Sequence, residues 1–333
     1  MNDFEQQIAA LSPEQRMVFE KYLKQKRLIK ERTRDISKVE IPKRQDSGGI
    51  PISFAQQRLW FFQQLNPDNS AYNVFSALRL EGNLNIALLE KVFSEIGRRH
   101  ESLRTTFTTN SQGLPIQVIS RSQPLKISIV DLKDLSNTHE ELHRLAFNET
   151  QKPFDLTKPL LRITLLKLGE TDYVLLLAMH HIISDRWSLG IFVREMKLLY
   201  EAFSNEQSIF STNSGQKPLA ELPIQYADWT LWQQQYLQGK VLEVQTDYWK
   251  KQLANLPVLR LPTDRPRPAV ATYRGAKQSF ELSKTLSDAL KALSVKEGIT
   301  LFTLLLTVFK ILLYKYTNQN DIVVGTDIAN RNR

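Results

Sequence analysis

Leu175-Leu-Leu-Ala-Met-His-His-Ile-Ile-Ser-Asp-Arg-Trp-Ser188 is an apolar run that ends in two adjacent histidines, turns through Asp185 and enters a helix. Tyr173–Met179, which runs into it, and the earlier run Leu160–Leu168 read as central strands buried on both faces. Successive strand side chains point to opposite faces, so His180 and His181 cannot share one pocket. One can face a reaction channel while the other is held in the structure. The carboxyl end of a central strand is where open α/β sheets expose ligands. An imidazole with a pKa of about 6.5 can serve as base for an amine or alcohol at cellular pH. A histidine pair by itself is more often a satisfied structural feature, so its surroundings decide.

On the N-terminal side, Phe54–Leu65 reads as a helix whose Trp60, Phe61 and Phe62 are expected in the core. Tyr72–Leu80 alternates like a strand, and Asn85–His100 is a helix with Ile86, Leu89, Val92, Phe93 and Ile96 on one face. Strands are expected near Arg104–Thr109, Pro115–Ile119 and Lys126–Asp131, with a helix at His139–Gln151. On the C-terminal side, Leu189–Phe203 is an amphipathic helix and Ser204–Glu221 a polar loop. Helices follow at Gln225–Leu237, Val241–Gln252, Lys284–Lys296 and Leu301–Tyr316, with strands at Ala276–Leu282 and Asp321–Gly325. Leu301–Tyr316 is apolar but broken by Lys310 and Lys315, which suits a buried core helix better than a span of about 20 apolar residues.

This mixture of strands and helices indicates α/β sandwich lobes. The expected division is 1–32, a helical segment opened by Ser12-Pro13-Glu14-Gln15; 33–49, a linker ending in Ser47-Gly48-Gly49; 50–222, a first lobe; and 223–333, a second lobe. The second lobe looks unfinished, because two strands under two helices make a poor core.

Composition excludes several classes. The 333 residues contain no cysteine, so thiol catalysis, disulfides and thiolate metal sites are out, and a reducing compartment is favoured. Five histidines in no tract, with His139 and His143 lacking a third ligand nearby in sequence, argue against a metal. Neither GxGxxG nor a phosphate-loop run is present. Net charge is +9, but Lys21–Gln45 holds ten basic and three acidic residues, leaving +2 for the other 308. The basicity therefore marks an N-terminal segment, not a nucleic-acid face on the folded body. Residues 1–15 lack a basic start and an apolar core, so no secretory signal is read there. The expectation is a cytoplasmic protein with no membrane or nucleic-acid partner.

Four motifs in order change the weight of the histidine pair. Ser53-Phe-Ala-Gln-Gln-Arg-Leu-Trp60, Arg99-His-Glu-Ser-Leu-Arg-Thr-Thr-Phe107, His180-His-Ile-Ile-Ser-Asp185 and Ile224-Gln-Tyr-Ala-Asp-Trp229 resemble the first four core motifs of the condensation domain of nonribosomal peptide synthetases. That domain belongs to the wider chloramphenicol-acetyltransferase-like superfamily. Leu261–Pro268 and Thr272-Tyr-Arg-Gly275 fit its usual continuation, and the resemblance covers nearly all of residues 50–333. It implies two α/β sandwich lobes in a V around a tunnel. It also implies amide formation between a donor acyl thioester and an acceptor aminoacyl amine, each on the 4'-phosphopantetheine arm of a partner carrier domain. No cofactor would be bound directly. Donor and acceptor carriers, an upstream synthetase meeting the N-terminal segment, and a downstream adenylation domain are the implied partners.

By the same resemblance His181 is the catalytic histidine of the tunnel. It either takes the amine's proton or orients the amine and stabilises the tetrahedral intermediate. His180 supports it from within the structure. Asp185 is implied to pair with an arginine of the second motif, Arg99 or Arg104, and so to fix the turn. Arg186, Trp187 and Ser188 are tunnel-lining candidates. Arg186 stands where the family has glycine; were φ positive there, arginine would cost roughly 1–2 kcal/mol. The general look of the first two motifs suggests an L-donor type. An aspartate in place of His180 would have pointed to heterocyclization instead. The fifth motif and the remaining sheet of the second lobe are not seen, so an incomplete condensation domain is expected. The alternative is an inactive interaction module, in which residues 1–45 dock a synthetase and the body only binds carriers.

Overall fold

The computed structural model describes residues 40–45, 49–208, 218–266 and 278–326 and the single positions 269, 276 and 328. The helix expected after Ser12 and the Thr272–Gly275 motif lie outside the described residues. The chain forms two compact units, the first through Tyr236 and the second over Leu237–Asn330.

The first unit holds β1 (Ile50–Pro51), α1 (Phe54–Leu65), β2 (Asn73–Glu81), α2 (Ile86–Arg99), a short 3-10 turn at Glu101–Arg104, β3 (Thr105–Thr109), β4 (Pro115–Ile119) and β5 (Ser128–Asp131). Then follow α3 (Thr138–Gln151), β6 (Leu161–Lys167), β7 (Asp172–His180), α4 (Arg186–Ser208) and α5 (Tyr226–Tyr236). The main sheet runs β2-β7-β6-β5, and a smaller one runs β1-β4-β3. β7 is antiparallel to both neighbours, with Asn73 opposite His180 and Leu161 opposite Met179. β5 and β6 are parallel, which requires the crossover that α3 supplies.

β7 is central because both its faces are apolar. Tyr173, Leu175, Leu177 and Met179 pack with Leu89, Val92, Phe93 and Ile96 of α2 and with Phe192, Met196 and Leu199 of α4. Val174 and Leu176 face the other way, against Leu142 and Leu145 of α3. Ala178 continues that second face into a cluster with Ile52, Phe107, Phe154, Ile182 and Ile183. Strand alternation thus carries His180 inward on the Ala178 face, where it is fully buried.

The α/β class is as expected, with four differences in the elements. α4 starts at Arg186 and continues through Ser208, taking in the first residues of the expected loop. Trp60 packs on the cluster around Ile52, whereas Phe61 and Phe62 are 56% and 43% exposed. They lie on the helix face turned away from that cluster, so only one of the three aromatics is core. α5, beyond the 222/223 boundary expected from sequence, belongs to the first unit: Gln234 Nε2 donates to Ile52 O at 2.8 Å. Finally, Arg44, inside the stretch read as linker, pairs with Glu101 at 2.8 Å and Asp228 at 3.0 Å.

The second unit contains α6 (Gly239–Gln252), α7 (Lys284–Lys296) and α8 (Leu301–Thr317). The expected strands at Ala276–Leu282 and Asp321–Gly325 do not form among the described residues. A strand needs a neighbour for its N–H and C=O groups, and the described residues of this unit supply none. α8 is not the buried core helix expected: Phe302, Val308, Phe309, Ile311, Leu312 and Tyr316 are exposed, and Leu313 is its buried residue. Among the described residues no single helix is long and apolar enough to cross a membrane.

Candidate active site

β7 ends at His180, and the chain turns through residues 181–185 into α4. His181 is exposed, and its ring is oriented from one side. Nδ1 lies 2.8 Å from the carbonyl oxygen of Ser184. A carbonyl only accepts, so in the neutral ring Nδ1 carries the proton and Nε2 keeps its lone pair. The backbone N–H of His181 donates to Tyr72 O at 2.8 Å, which ties the turn to the start of β2. This is the geometry a general base or an amine-orienting acceptor needs: one nitrogen occupied by the protein and the other open.

His180 does the opposite. Its Nδ1 accepts the N–H of Ile182 at 3.1 Å, so the neutral ring carries its proton on Nε2. Its ring sits 6.4 Å from that of Tyr72 and 6.2 Å from that of Phe154. Burial, and secondarily the neighbouring His181, push its pKa down to about 4. The ring is therefore neutral at pH 7 and shapes the turn, as the alternation argument requires.

Asp185 secures the next step of the chain. Its Oδ1 accepts from Ser188 N at 2.7 Å and from Ser188 Oγ at 2.6 Å, and its carbonyl accepts from Leu189 N at 3.0 Å. It thus caps the N-terminus of α4, where a carboxylate also meets the favourable end of the helix dipole. The two arginines expected to meet it are engaged elsewhere. Arg99 Nε lies 3.1 Å from Glu195 Oε1, and its Nη1 donates to Ala220 O. Arg104 lies 3.5 Å from Glu101 and donates to Ser120 O. The reason is position: Arg99 ends α2, which packs along α4, so the carboxylate within its reach is the buried Glu195 of α4. His100 Nε2 adds a 2.7 Å contact to the same carboxylate. Burial would raise the Glu195 pKa, but His100 and Arg99 together hold it below its usual value.

Arg186 opens α4 as its first residue and is exposed, as is Trp187; Ser188 is half-buried. Among the described residues the non-glycine positions with positive φ are Asn255 and Asn318, and Arg186 is not one of them. The condition under which arginine would be strained there, a positive φ, is not met.

The four motifs are stitched together around the histidine turn by side chains that sequence reading did not single out. Ser53 caps α1 in a reciprocal capping box with Gln56. The amide of Gln56 also donates to Ile182 O at 3.2 Å, linking the first motif to the third. Tyr226 Oη lies 2.9 Å from Ser53 Oγ, linking the fourth motif to the first. Gln225 donates to Arg99 O at 2.9 Å and accepts from Glu101 N at 3.1 Å, linking the fourth to the second. Buried Asp228 accepts from Gln225 N at 2.7 Å and pairs with Arg44. A serine three residues before a glutamine is a legible capping signature. The long-range bonds of Gln56, Gln225 and Asp228 leave no such local mark.

A cavity of about 10 Å³ lies between Gln56, Glu101, Thr105, Gln117, Ile183 and Tyr226. A wider recess of about 360 Å³ is lined by Lys43, Arg44, Glu101, Pro223, Gln225 and Asp228. His181 lines neither; it stands at the surface of its own unit. No group of three metal-ligating side chains occurs among the described residues, and His139 and His143 stack edge to face at 4.5 Å.

The chain is similar to parts of several known synthetases. One protein of the linear gramicidin synthase of Brevibacillus parabrevis is 48% identical over 288 residues, which is 85% of this chain and 5% of that protein. Phosphinothricin tripeptide synthetase of Streptomyces viridochromogenes is 40% identical over 338 residues, 100% of this chain and 30% of that protein. The chain thus spans a small part of these relatives. The first condensation domain of the calcium-dependent antibiotic synthetase, solved with a substrate analogue, has the same fold, with a TM-score of 0.64 at 21% identity over 84% of this chain and 64% of that one. Residues 46–333 match the family model described as the condensation domain, and the chain belongs to that family.

Proposed function

We propose that the chain carries out amide-bond formation between two carrier-borne substrates, with His181 as the reacting imidazole. The donor acyl group arrives as a thioester on one phosphopantetheine arm, and the acceptor aminoacyl group on another. The acceptor amine attacks the thioester carbonyl, the C–N bond forms, the C–S bond breaks, and the amine's proton ends on the departing thiol. His181 Nε2, with its lone pair free and Nδ1–H anchored on Ser184 O, is the group that can hold that proton or orient that amine. This anchored, exposed ring beside a buried neutral one is the observation that carries the reading. The reading extends to an L-configured donor, an upstream synthetase at the N-terminal segment, a downstream adenylation domain and a cytoplasmic setting. Asp185 and His180 hold the turn, Arg99 and Arg104 brace the second motif, and Arg186, Trp187 and Ser188 border the substrate path.

The test loads donor and acceptor carrier domains and follows the dipeptidyl thioester. His181→Ala is expected to lower the rate about 10²- to 10⁴-fold. The residue is exposed, so the variant keeps its fold. An unchanged rate in this variant removes the assigned role from His181, whereas no product from the parent itself would leave a module that only docks carriers.

A further inference from the structure

Gln56 is buried, at 3% exposure, and uses both ends of its amide. Its Oε1 accepts the N–H of Ser53 at 2.9 Å, while its Nε2 donates to Ile182 O at 3.2 Å. Because Ser53 N–H requires the oxygen, the nitrogen must face Ile182, and the amide has one orientation only. The peptide of Ile182 is clamped from its other side, where its N–H meets His180 Nδ1 at 3.1 Å. Two residues further on, the carbonyl of Ser184 takes His181 Nδ1–H at 2.8 Å. The support behind Gln56 is fixed as well: its own N–H donates to Ser53 Oγ at 3.2 Å, and that oxygen lies 2.9 Å from Tyr226 Oη.

We infer that Gln56 is a positioning residue for His181. By pinning the Ile182 carbonyl it fixes the turn that presents Ser184 O. That carbonyl in turn selects the Nδ1–H form of the His181 ring and aims Nε2 outward. Capping α1 is the other task of the same side chain, and the two tasks separate by substitution. Gln56→Met, of similar length, removes the donor to Ile182 together with the acceptor for Ser53 N–H, so the cost of losing the cap is read separately from Ser53→Ala. Gln56→Asn keeps an amide but is one methylene too short to span Ser53 and Ile182. Ser53→Ala removes the side-chain cap of α1 and leaves the Ile182 bond in place. The inference rests on His181 being the reacting imidazole, so the test has one arm that does not depend on activity.

The first arm is the ring 15N spectrum of the labelled 333-residue chain, which has only five histidines to assign. The intact chain and Ser53→Ala should show His181 as a single Nδ1–H form. Gln56→Met should show that signal moved towards a mixture of the two ring tautomers. Gln56→Asn should do the same, and it serves should the methionine variant fold poorly by circular dichroism. The second arm is turnover in the carrier-loaded assay. The loss of aim should lower kcat about 10- to 100-fold in Gln56→Met, with the acceptor KM within about twofold, and Ser53→Ala should stay near the parent rate. A folded Gln56 variant with the parent's His181 ring signals overturns the inference, as does one with the parent's kcat. Equal changes in Ser53→Ala and Gln56→Met also overturn it, by reducing Gln56 to a cap. Failure of the role given to His181 is separate: it appears as full turnover in His181→Ala, whatever the ring spectra show.

Discussion

α2 of the first unit and α8 of the second begin alike and end differently. Asn85 caps the first by accepting Leu88 N at 3.0 Å, and Thr300 caps the second by accepting Thr303 N at 3.1 Å. α8 is the more apolar helix in sequence, yet α2 buries Leu88, Leu89, Val92, Phe93 and Ile96, whereas α8 buries Leu313. What differs is the floor. α2 lies on a four-stranded sheet whose β7 is apolar on both sides, and the described residues of the second unit form no sheet. Helix formation is thus satisfied locally by caps and composition, while burial depends on a partner surface that no local signal can supply.

Matched substitutions should expose that difference. Phe93 is 0% exposed and stacks on Phe192 at 5.7 Å, while Phe309 is 46% exposed. Phe93→Ala leaves a cavity among close-packed side chains and should destabilise the first unit by about 3–5 kcal/mol. Phe309→Ala, made where solvent already reaches the ring, should change the second unit by less than about 1 kcal/mol. Hydrogen exchange resolved by peptide, with urea as the perturbant, reads the two units separately. Comparable losses in both variants would mean that α8 is packed in solution and that the contrast is wrong.

The same contrast explains which parts of the molecule sequence reveals. The apolar run of β7 announced a central strand, because a strand buried on both faces has no polar positions to alternate, whereas β6 carries Arg162, Thr164 and Lys167 at half-buried positions. Pairing by parity placed one histidine in and one out. The cut between Phe61 and Trp60, by contrast, depends on which face of α1 meets Ile52, and three consecutive aromatics carry no such information. The partner of Arg99 was legible only as a charge in need of one. The choice of Glu195 follows from how α2 packs along α4, 96 residues apart in sequence. The two expected strands of the second unit had the right composition and lacked a neighbour. Those of the first unit found theirs through contacts far apart in the chain, Asn73 with His180 among them.

The buried histidine makes the first unit sensitive to acid in a way the second is not. His180 titrates near pH 4 in the fold, against about 6.5 for an unfolded histidine. Between these values the unfolded chain binds the extra proton, so stability is intact above pH 6.5 and falls as pH drops towards 4. For a folded value of about 4, the loss at pH 5 relative to pH 7 is about 2 kcal/mol. His180→Asn, whose carbonyl oxygen can still accept the Ile182 N–H, should lack this component. The depressed Glu195 also contributes stability that is lost on acidification, but below about pH 4.5 and equally in both proteins. Urea midpoints of the first unit at pH 7 and pH 5 decide the matter. Parallel curves for the parent and His180→Asn would show that the ring does not titrate between folded and unfolded states.

The smallest expected effect lies at Arg186, one turn beyond the histidines, where a side chain that differs from the family's glycine meets solvent. The backbone there is the first turn of α4, with Asp185 as cap, and φ is not positive. Glycine would relieve no strain at such a site; it would give the unfolded chain more freedom and cost a helix position up to about 1 kcal/mol. Arg186→Gly should therefore lower the stability of the first unit slightly and leave the rate of dipeptidyl thioester formation within about twofold, since an exposed side chain away from buried features moves stability and packing little. A clear rise in that rate would show that the arginine turns into the substrate path when the carriers are engaged, and would make residue 186 a determinant of turnover. A gain in stability would contradict the helical backbone on which the expectation is built.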